Sequence, residues 1–135
     1  IPIMIFDPQK IGNAKKDTAL MQQLDIMPTV LDYLGYNKPF FALGNSAFNK
    51  QISRFNFNYL SGNYSVLRSG LHLKTIGNQF VEVYAFPEDI RDTKNIIHQV
   101  KNSKSFQESE VFTKAFIQVL YNSVINDRLK AKDYK

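Results

Sequence analysis

Residues 52–86 constrain the fold most strongly, because apolar and polar residues alternate there with a period of two. This period is typical of a β-strand that buries one face. Short segments rich in Gly, Asn and Ser interrupt the alternation at positions 61–63, 69–70 and 77–79. Turns of two or three such residues join antiparallel strands. The sequence therefore predicts an antiparallel meander of four strands, at positions 55–59, 64–67, 71–76 and 80–86.

A short helix is predicted upstream of the meander, between Asp25 and Leu34. We expect Asp25 to be the N-cap, with its carboxylate accepting amide hydrogens of the first turn. Pro28 fits the first turn, where its missing N–H would have no helical partner. Gly35 then provides the left-handed residue that ends many helices.

A longer helix is predicted at the C-terminal end. Ser105 and Glu108 have the spacing of a capping box, and the helix is expected to continue to about Lys130. We expect its apolar stripe to cover one face of the meander. That stripe comprises Phe112, Phe116, Val119, Leu120, Ser123 and Val124. The fold class predicted from these elements is α+β.

The first six residues form an apolar run that only Pro2 interrupts. Such a run is typical of a strand covered on both faces. Its neighbours are missing from this sequence, and the chain begins with Ile1 rather than Met. We therefore expect residues 1–50, comprising a strand, a helix and an aromatic-rich connector, to be the end of a larger α/β domain. Residues 51–135 are expected to form a separate sheet-plus-helix subdomain.

Composition excludes several classes of protein. The chain has 135 residues, 44% of them hydrophobic, which is too apolar for intrinsic disorder. The absence of Cys excludes disulfide scaffolds, thiolate zinc sites and a Cys nucleophile. No apolar run approaches the ~20 residues of a membrane-spanning helix. The net charge of +5 is concentrated in residues 91–135, which we interpret as a solvated helix face.

Residues suited to catalysis are few. His72 and His98 are the only histidines, and neither has a partner at the spacing of a zinc site. We interpret both as surface histidines without a catalytic role. Asp7, Asp25 and Asp32 could pair as general acid and base, but each has a local structural explanation. We therefore predict no catalytic, cofactor-binding or metal-binding residue in this chain.

The residue pattern of the first strand has a second interpretation, in which the strand forms a nucleic-acid interface. Phe55, Phe57 and Tyr59 alternate there, and exposed aromatic side chains on a sheet can stack on single-stranded bases. The same alternation is what a half-buried strand needs to contact a covering helix. Since the strands carry little basic excess, we favour the core interpretation and expect no nucleic-acid partner.

Residues 23–36 (QLDIMPTVLDYLGY) resemble the Q-x-D-I-x-P-T-[LV]-L-D-x-x-G stretch of the sulfatase and alkaline-phosphatase-like superfamily. Residues 3–8 resemble the apolar strand ending in Asp-Pro that precedes it, and residues 44–48 (GNSAF) resemble the family's G-x-S-[LA]-F. Residues 83–89 and 95–96 resemble its C-terminal hairpin and ending. The sequence of residues 39–46 is most similar to sequences of the branch that contains lipoteichoic-acid synthases and phosphoglycerol transferases. The resemblance extends over residues 1–130.

The resemblance implies a function for the parent protein rather than for this chain alone. Enzymes of the family bind a divalent metal and attack sulfate or phosphate with a Thr, Ser or modified Cys, through residues upstream of the matching region. The resemblance thus implies a metal-dependent hydrolase or transferase at the extracytoplasmic face of a bacterial membrane. This chain would be its C-terminal scaffold and cleft wall, inactive by itself.

Two kinds of partner follow from these expectations. One is the upstream part of the same polypeptide, and the other is a second copy, joined through an exposed N-terminal strand. The alternative hypothesis is an independent interaction module, in which the sheet and helix bind protein or nucleic acid.

Overall fold

The computed structural model describes residues 3–10 and 16–129. Short 3₁₀ turns lie at Pro8–Lys10 and Gln23–Asp25. The longer elements are α1 (Ile26–Tyr33), β1 (Phe55–Leu60), β2 (Asn63–Arg68), β3 (Leu71–Ile76), β4 (Gln79–Ala85), α2 (Ile97–Val100) and α3 (Lys104–Ile125). A single antiparallel sheet with helices is an α+β fold, and the predicted class is confirmed.

The four strands form one sheet in the order β1-β2-β3-β4, and every neighbouring pair is antiparallel. The meander predicted from the period-two pattern is thus confirmed. Gly62 and Gly70 occupy the hairpin turns with φ of +87° and +76°. Residues with a Cβ rarely adopt this conformation, which explains why glycine marks these turns in the sequence.

One face of the sheet is buried beneath α3. The side chains of Val66, Leu73 and Val83, one from each of three strands, are completely buried. The helix contributes Phe106 and Phe116 to the same layer. Burying one large aliphatic side chain stabilises a fold by about 1.5–3 kcal/mol, so this layer is the main source of cohesion in the sheet.

A β-bulge adjusts the last strand to this core. The register of β3 with β4 shifts between Lys74 and Thr75, so that Leu73 faces Val83 while Thr75 faces Phe80. The extra residue on β4 allows both Phe80 and Val83 to contribute to the hydrophobic cluster, although three positions separate them. The Phe80 ring lies edge-on to Phe106, with the ring centroids 5.8 Å apart.

Side-chain amides occupy the outer edges of the sheet. On β1, the N–H of Phe57 donates to Oε1 of Gln22 at 2.9 Å. On β4, the N–H of Val83 donates to Oδ1 of Asn95 at 3.1 Å, and Nδ2 of Asn95 donates to the Val81 carbonyl at 3.2 Å. These bonds satisfy backbone groups that no fifth strand pairs with.

The predicted N-terminal strand is not a strand where the structure describes it. Residues 3–7 have no regular secondary structure and lie outside the sheet, whereas residues 1 and 2 lie outside the described part. Met4 is 91% exposed and Phe6 is 79% exposed. A strand exists only where a neighbour pairs with its backbone, and the sheet brings no strand to this segment.

Both ends of the C-terminal helix differ from the prediction. Ser103, not Ser105, is the N-cap of α3, and its Oγ accepts the N–H of Phe106 at 3.2 Å. Ser103 has the extended backbone that an N-cap requires, and Ser105 lies inside the helix. The helix ends at Ile125 rather than near Lys130.

The buried stripe of α3 also differs in part from the prediction. Phe116 and Ser123 are buried as expected, but Val119 and Val124 are exposed, and Thr113 is buried in their place. The short helix α2 packs beside β4. None of the described helices is both long enough and apolar enough to span a membrane.

Replacing Leu73 with Ala should lower the free energy of unfolding by about 2–5 kcal/mol, because the side chain is completely buried and its removal leaves a cavity. Urea unfolding followed by circular dichroism measures this change. Leu60→Ala is the matched control, since Leu60 is 73% exposed and should change stability by less than about 0.5 kcal/mol. Equal losses in the two variants would contradict the described core.

Candidate functional site

Residues 23–36 and 44–48 meet at a buried carboxylate. Asp25, at the start of α1, is only 2% exposed. Its Oδ1 accepts the N–H of Asn45 at 2.7 Å, and its Oδ2 accepts the N–H of Gln22 at 3.1 Å. A buried carboxylate is costly unless such hydrogen bonds compensate it. Asp25 therefore joins the helix to the connector that follows it.

Thr29 makes the second link between α1 and the connector. Its hydroxyl donates to the Asp25 carbonyl at 2.5 Å and accepts the N–H of Ala47 at 2.9 Å. The side chain is completely enclosed, with an exposed fraction of 1%. One turn further along the helix, the hydroxyl of Ser46 donates to the Asp32 carboxylate. The connector is thus hydrogen-bonded at three successive positions along α1 and its N-cap, namely Asp25, Thr29 and Asp32.

Gly44 allows the connector to approach α1 this closely. A Cβ at this position would lie 2.2 Å from the carbonyl oxygen of Leu24 and 2.6 Å from Oδ1 of Asp25. Both distances are far below van der Waals contact, and the Leu24 oxygen belongs to the backbone and cannot rotate away. The glycine is therefore required by a close approach of two chain segments.

The prediction that the Asp25 carboxylate caps the first turn of α1 is wrong. Asp25 does occupy the N-cap position of α1, but its side chain makes no cap hydrogen bond to the first turn of that helix. Its backbone is helical, with φ −83° and ψ −14°, because a 3₁₀ turn precedes the helix. The carboxylate consequently points to Gln22 and Asn45.

Gly44→Ala should reduce the free energy of unfolding by about 3 kcal/mol, because the new methyl group overlaps with backbone atoms. Gly35→Ala is the matched control. Gly35 has a φ of +68° but open space around it, so the cost there should be only about 1 kcal/mol. Chemical denaturation of both variants measures the difference. A loss at Gly44 no larger than that at Gly35 would contradict the described approach.

A second polar cluster lies on the sheet face opposite α3, and His72 of β3 is at its centre. Nε2 of His72 lies 2.7 Å from Oγ of Ser65, and Nδ1 lies 2.8 Å from Oδ1 of Asp92. Oδ2 of Asp92 lies 2.9 Å from Nζ of Lys74. The Lys74 ammonium also lies over the Tyr84 ring, 5.1 Å from its centroid. The prediction that His72 is a lone surface histidine is therefore wrong.

Ser65, His72 and Asp92 have the hydrogen-bond order of a nucleophile, a base and an orienting acid. Acyl transfer also needs backbone or side-chain donors aimed at the developing oxyanion. Ser65 lies in the middle of β2, whose backbone pairs with β1 on one side and β3 on the other. The neighbouring N–H groups are thus engaged in the sheet, and we interpret the cluster as structural.

The structural role of the cluster is to hold residues 86–95 against the sheet. Asp92 comes from this irregular segment and has a φ of +54°, a conformation that Asp tolerates better than most residues. Burial raises the pKa of Asp92, but hydrogen bonds from Lys74 and His72 outweigh it, and the net pKa is lowered. The hydrogen bond to Asp92 raises the pKa of Lys74.

The sign of the pH dependence follows from these shifts. Asp92 has a folded pKa below its ordinary value of 3.8, so its contribution to stability is complete above that value and is lost as the pH falls through the folded pKa. Lys74 has a folded pKa above its ordinary value of 10.5, so its contribution is lost as the pH rises through the folded pKa.

Asp92→Asn should therefore destabilise the protein by about 1 kcal/mol near neutral pH, and the difference from wild type should shrink below pH 3.8 and above pH 10.5. Asn also tolerates the left-handed backbone, so the variant changes the charge with little backbone strain. Urea unfolding across this pH range measures the difference. Glu88→Gln, at an exposed position nearby, is the control. A difference that stays constant with pH would contradict the assignment.

The remaining sequence candidates do not converge on one site. Asp7 contacts the Tyr33 hydroxyl and accepts the N–H of Gln9, and Asp32 contacts Ser46, so these carboxylates do not pair. His98 is exposed on α2. Among residues 3–10 and 16–129, no group of three His, Asp or Glu side chains is arranged to hold a metal ion.

The aromatic side chains of β1 belong mainly to the core. Phe55 is buried, and its ring lies 4.8 Å from that of Phe112 and 5.2 Å from that of Phe116. The Phe57 ring lies 4.5 Å from Phe116. These contacts support the core interpretation of the alternating pattern, since both rings pack against α3. Tyr59 is exposed.

A comparison with protein-family models, with curated proteins and with solved structures finds no match to this chain.

Proposed function

We propose that this chain is the C-terminal scaffold of a metal-dependent enzyme of the sulfatase and alkaline-phosphatase-like superfamily, and that it lacks the nucleophile and metal ligands. The resemblance of residues 23–36 and 44–48 to two stretches of that family motivates the proposal. The parent would be a hydrolase or phosphoglycerol transferase at the extracytoplasmic face of a bacterial membrane. A divalent metal would be bound by its upstream part.

One observation carries the proposal. Two of the stretches that carry the resemblance, residues 23–36 and 44–48, bond to each other through Asp25 and Thr29, with Gly44 at a close approach between them. Polar residues that are buried and satisfied in this way hold backbone segments in place and have no free atom to offer a substrate. The same residues would therefore serve as scaffold in the parent protein.

The exposed apolar surface supports an intramolecular partner. Met4, Ile5 and Phe6 are exposed, as are Val30 on α1 and Leu34 just after it. Several large apolar side chains exposed in this part of the chain favour a partner that covers them. In the proposed parent, the upstream part of the polypeptide would cover this surface. A second copy is the alternative occupant, and light scattering of the chain in solution would distinguish the two.

The alternative function is an independent interaction module that binds protein or nucleic acid. Its best support was the aromatic alternation on β1, but Phe55 and Phe57 pack against α3. Tyr59 alone does not form a stacking platform, which needs several rings along a basic groove. The scaffold function is therefore the better supported of the two.

The test compares this chain with the complete polypeptide that its gene encodes. Bis(4-nitrophenyl) phosphate and 4-nitrophenyl sulfate would be assayed with Mg²⁺, Mn²⁺ or Zn²⁺. We expect metal-dependent hydrolysis of one ester by the complete polypeptide and none by this chain. Activity in this chain alone, or its absence from the complete polypeptide, would contradict the proposal.

A substitution at Thr29 distinguishes a scaffold role of this residue from a catalytic role. Thr29→Val in the complete polypeptide leaves the Ala47 N–H without its acceptor, which should lower stability by about 1–3 kcal/mol. The KM and metal dependence should stay unchanged, because a scaffold residue does not touch the substrate. Thr29→Ser keeps the hydroxyl and should retain most of the stability. A Thr29→Val enzyme with an altered KM at full stability would instead place Thr29 at the active site.

A further inference from the structure

A two-chambered groove lies between the β3–β4 turn, α2 and the first half of α3. The outer chamber has a volume of about 450 Å³, within the usual range for small-molecule sites. Phe80, Ile97 and Phe106 contribute its apolar surface, and His98, Lys101 and Lys114 contribute nitrogen-bearing side chains. The groove lies away from the buried links of Asp25 and Thr29, and the proposed function does not use it.

The inner chamber extends the groove along α3 and is less polar. It has a volume of about 210 Å³ and shares Phe80 and Lys114 with the outer chamber. Ile117 contributes to its lining, as do Thr75 and Thr113, whose hydroxyls already have hydrogen-bond partners. A ligand group in this chamber thus meets mostly apolar atoms and satisfied hydroxyl groups, which favours a hydrocarbon chain or ring.

The charge of the outer chamber is positive. Lys101 is exposed and makes no ion pair with any residue in the described part of the chain. Lys114 pairs with Glu110, another lining residue, at 2.7 Å. One carboxylate therefore faces two ammonium groups, and the positive charge left over attracts an anion.

We propose that this groove binds a small amphipathic anion, in which an apolar chain or ring is joined to a carboxylate or phosphate. The apolar part lies along Phe80 and enters the inner chamber towards Ile117. The anionic group stays in the outer chamber, where Lys101 and Lys114 can reach it. The difference in polarity between two connected chambers selects for a ligand with two unlike ends.

Titration of the isotope-labelled chain with three small molecules tests the proposal by ¹H–¹⁵N NMR. Octanoate has both parts of the ligand, 1-octanol has only the apolar chain, and acetate has only the carboxylate. We expect saturable shifts with octanoate at residues 78–80, 97–101 and 113–118, and at least about tenfold weaker binding of the other two. No saturation, shifts centred elsewhere, or equal binding of octanol or acetate would overturn the proposal.

Charge variants provide a second test. Replacing Lys101 and Lys114 together with Gln should weaken octanoate binding by about five- to tenfold while leaving octanol binding unchanged. Lys104→Gln is the matched control, because Lys104 is 89% exposed and lies outside the groove on the same helix. Unchanged octanoate affinity in the double variant, or an equal loss in the control, would overturn the proposal. The wild-type comparison of the three ligands stands even if the double variant fails to fold.

Discussion

Burial of one sheet face beneath α3 is the interaction on which the rest of this structure depends. A four-stranded sheet has two faces and two edges, and a single helix can cover only one face. Val66, Leu73 and Val83 are therefore directed to that side, and the bulge in β4 brings Phe80 into the same layer. The other surfaces of the sheet must be completed by polar contacts.

The polar contacts come from irregular segments rather than from further strands or helices. Asp92 fixes residues 86–95 against the open face by bonding to His72 and Lys74. Asp25 and Thr29 do the same for the connector that leads into β1. In both places, a carboxylate that is largely removed from water is compensated by several donors. Such sites fix a conformation more than they add net stability.

The strands could be predicted from the sequence because their signals are local. Alternation and Gly-containing turns depend on neighbouring residues, so β1 to β4 were placed correctly to within a residue or two. The start of α3 was harder to predict, because Ser103 and Ser105 are both suitable N-caps and only the backbone conformation distinguishes them. The apolar run at the N-terminus predicted a strand. A strand also needs a neighbouring strand to pair with, and the pattern of residues within one segment does not show whether such a neighbour exists.

The polar clusters could not be predicted for a related reason. Asn45 lies twenty residues after Asp25, and Asp92 lies twenty residues after His72. Helix α1 and part of the connector separate Asp25 from Asn45, and the rest of β3 together with β4 separates His72 from Asp92. No periodicity or motif spacing therefore links the members of either pair. Gly44 could have served as a signal, because a glycine between Leu43 and Asn45 outside any turn of positive φ indicates close approach of another segment.

The amides of Gln22 and Asn95 have a consequence for how copies of this protein can meet. Sheets commonly grow into fibrils when an exposed edge offers its backbone to another molecule. Here a newcomer at either edge would first have to expel a side chain that already satisfies the same backbone atoms. The amides of Gln22 and Asn95 therefore disfavour contact between copies through the edges of the sheet.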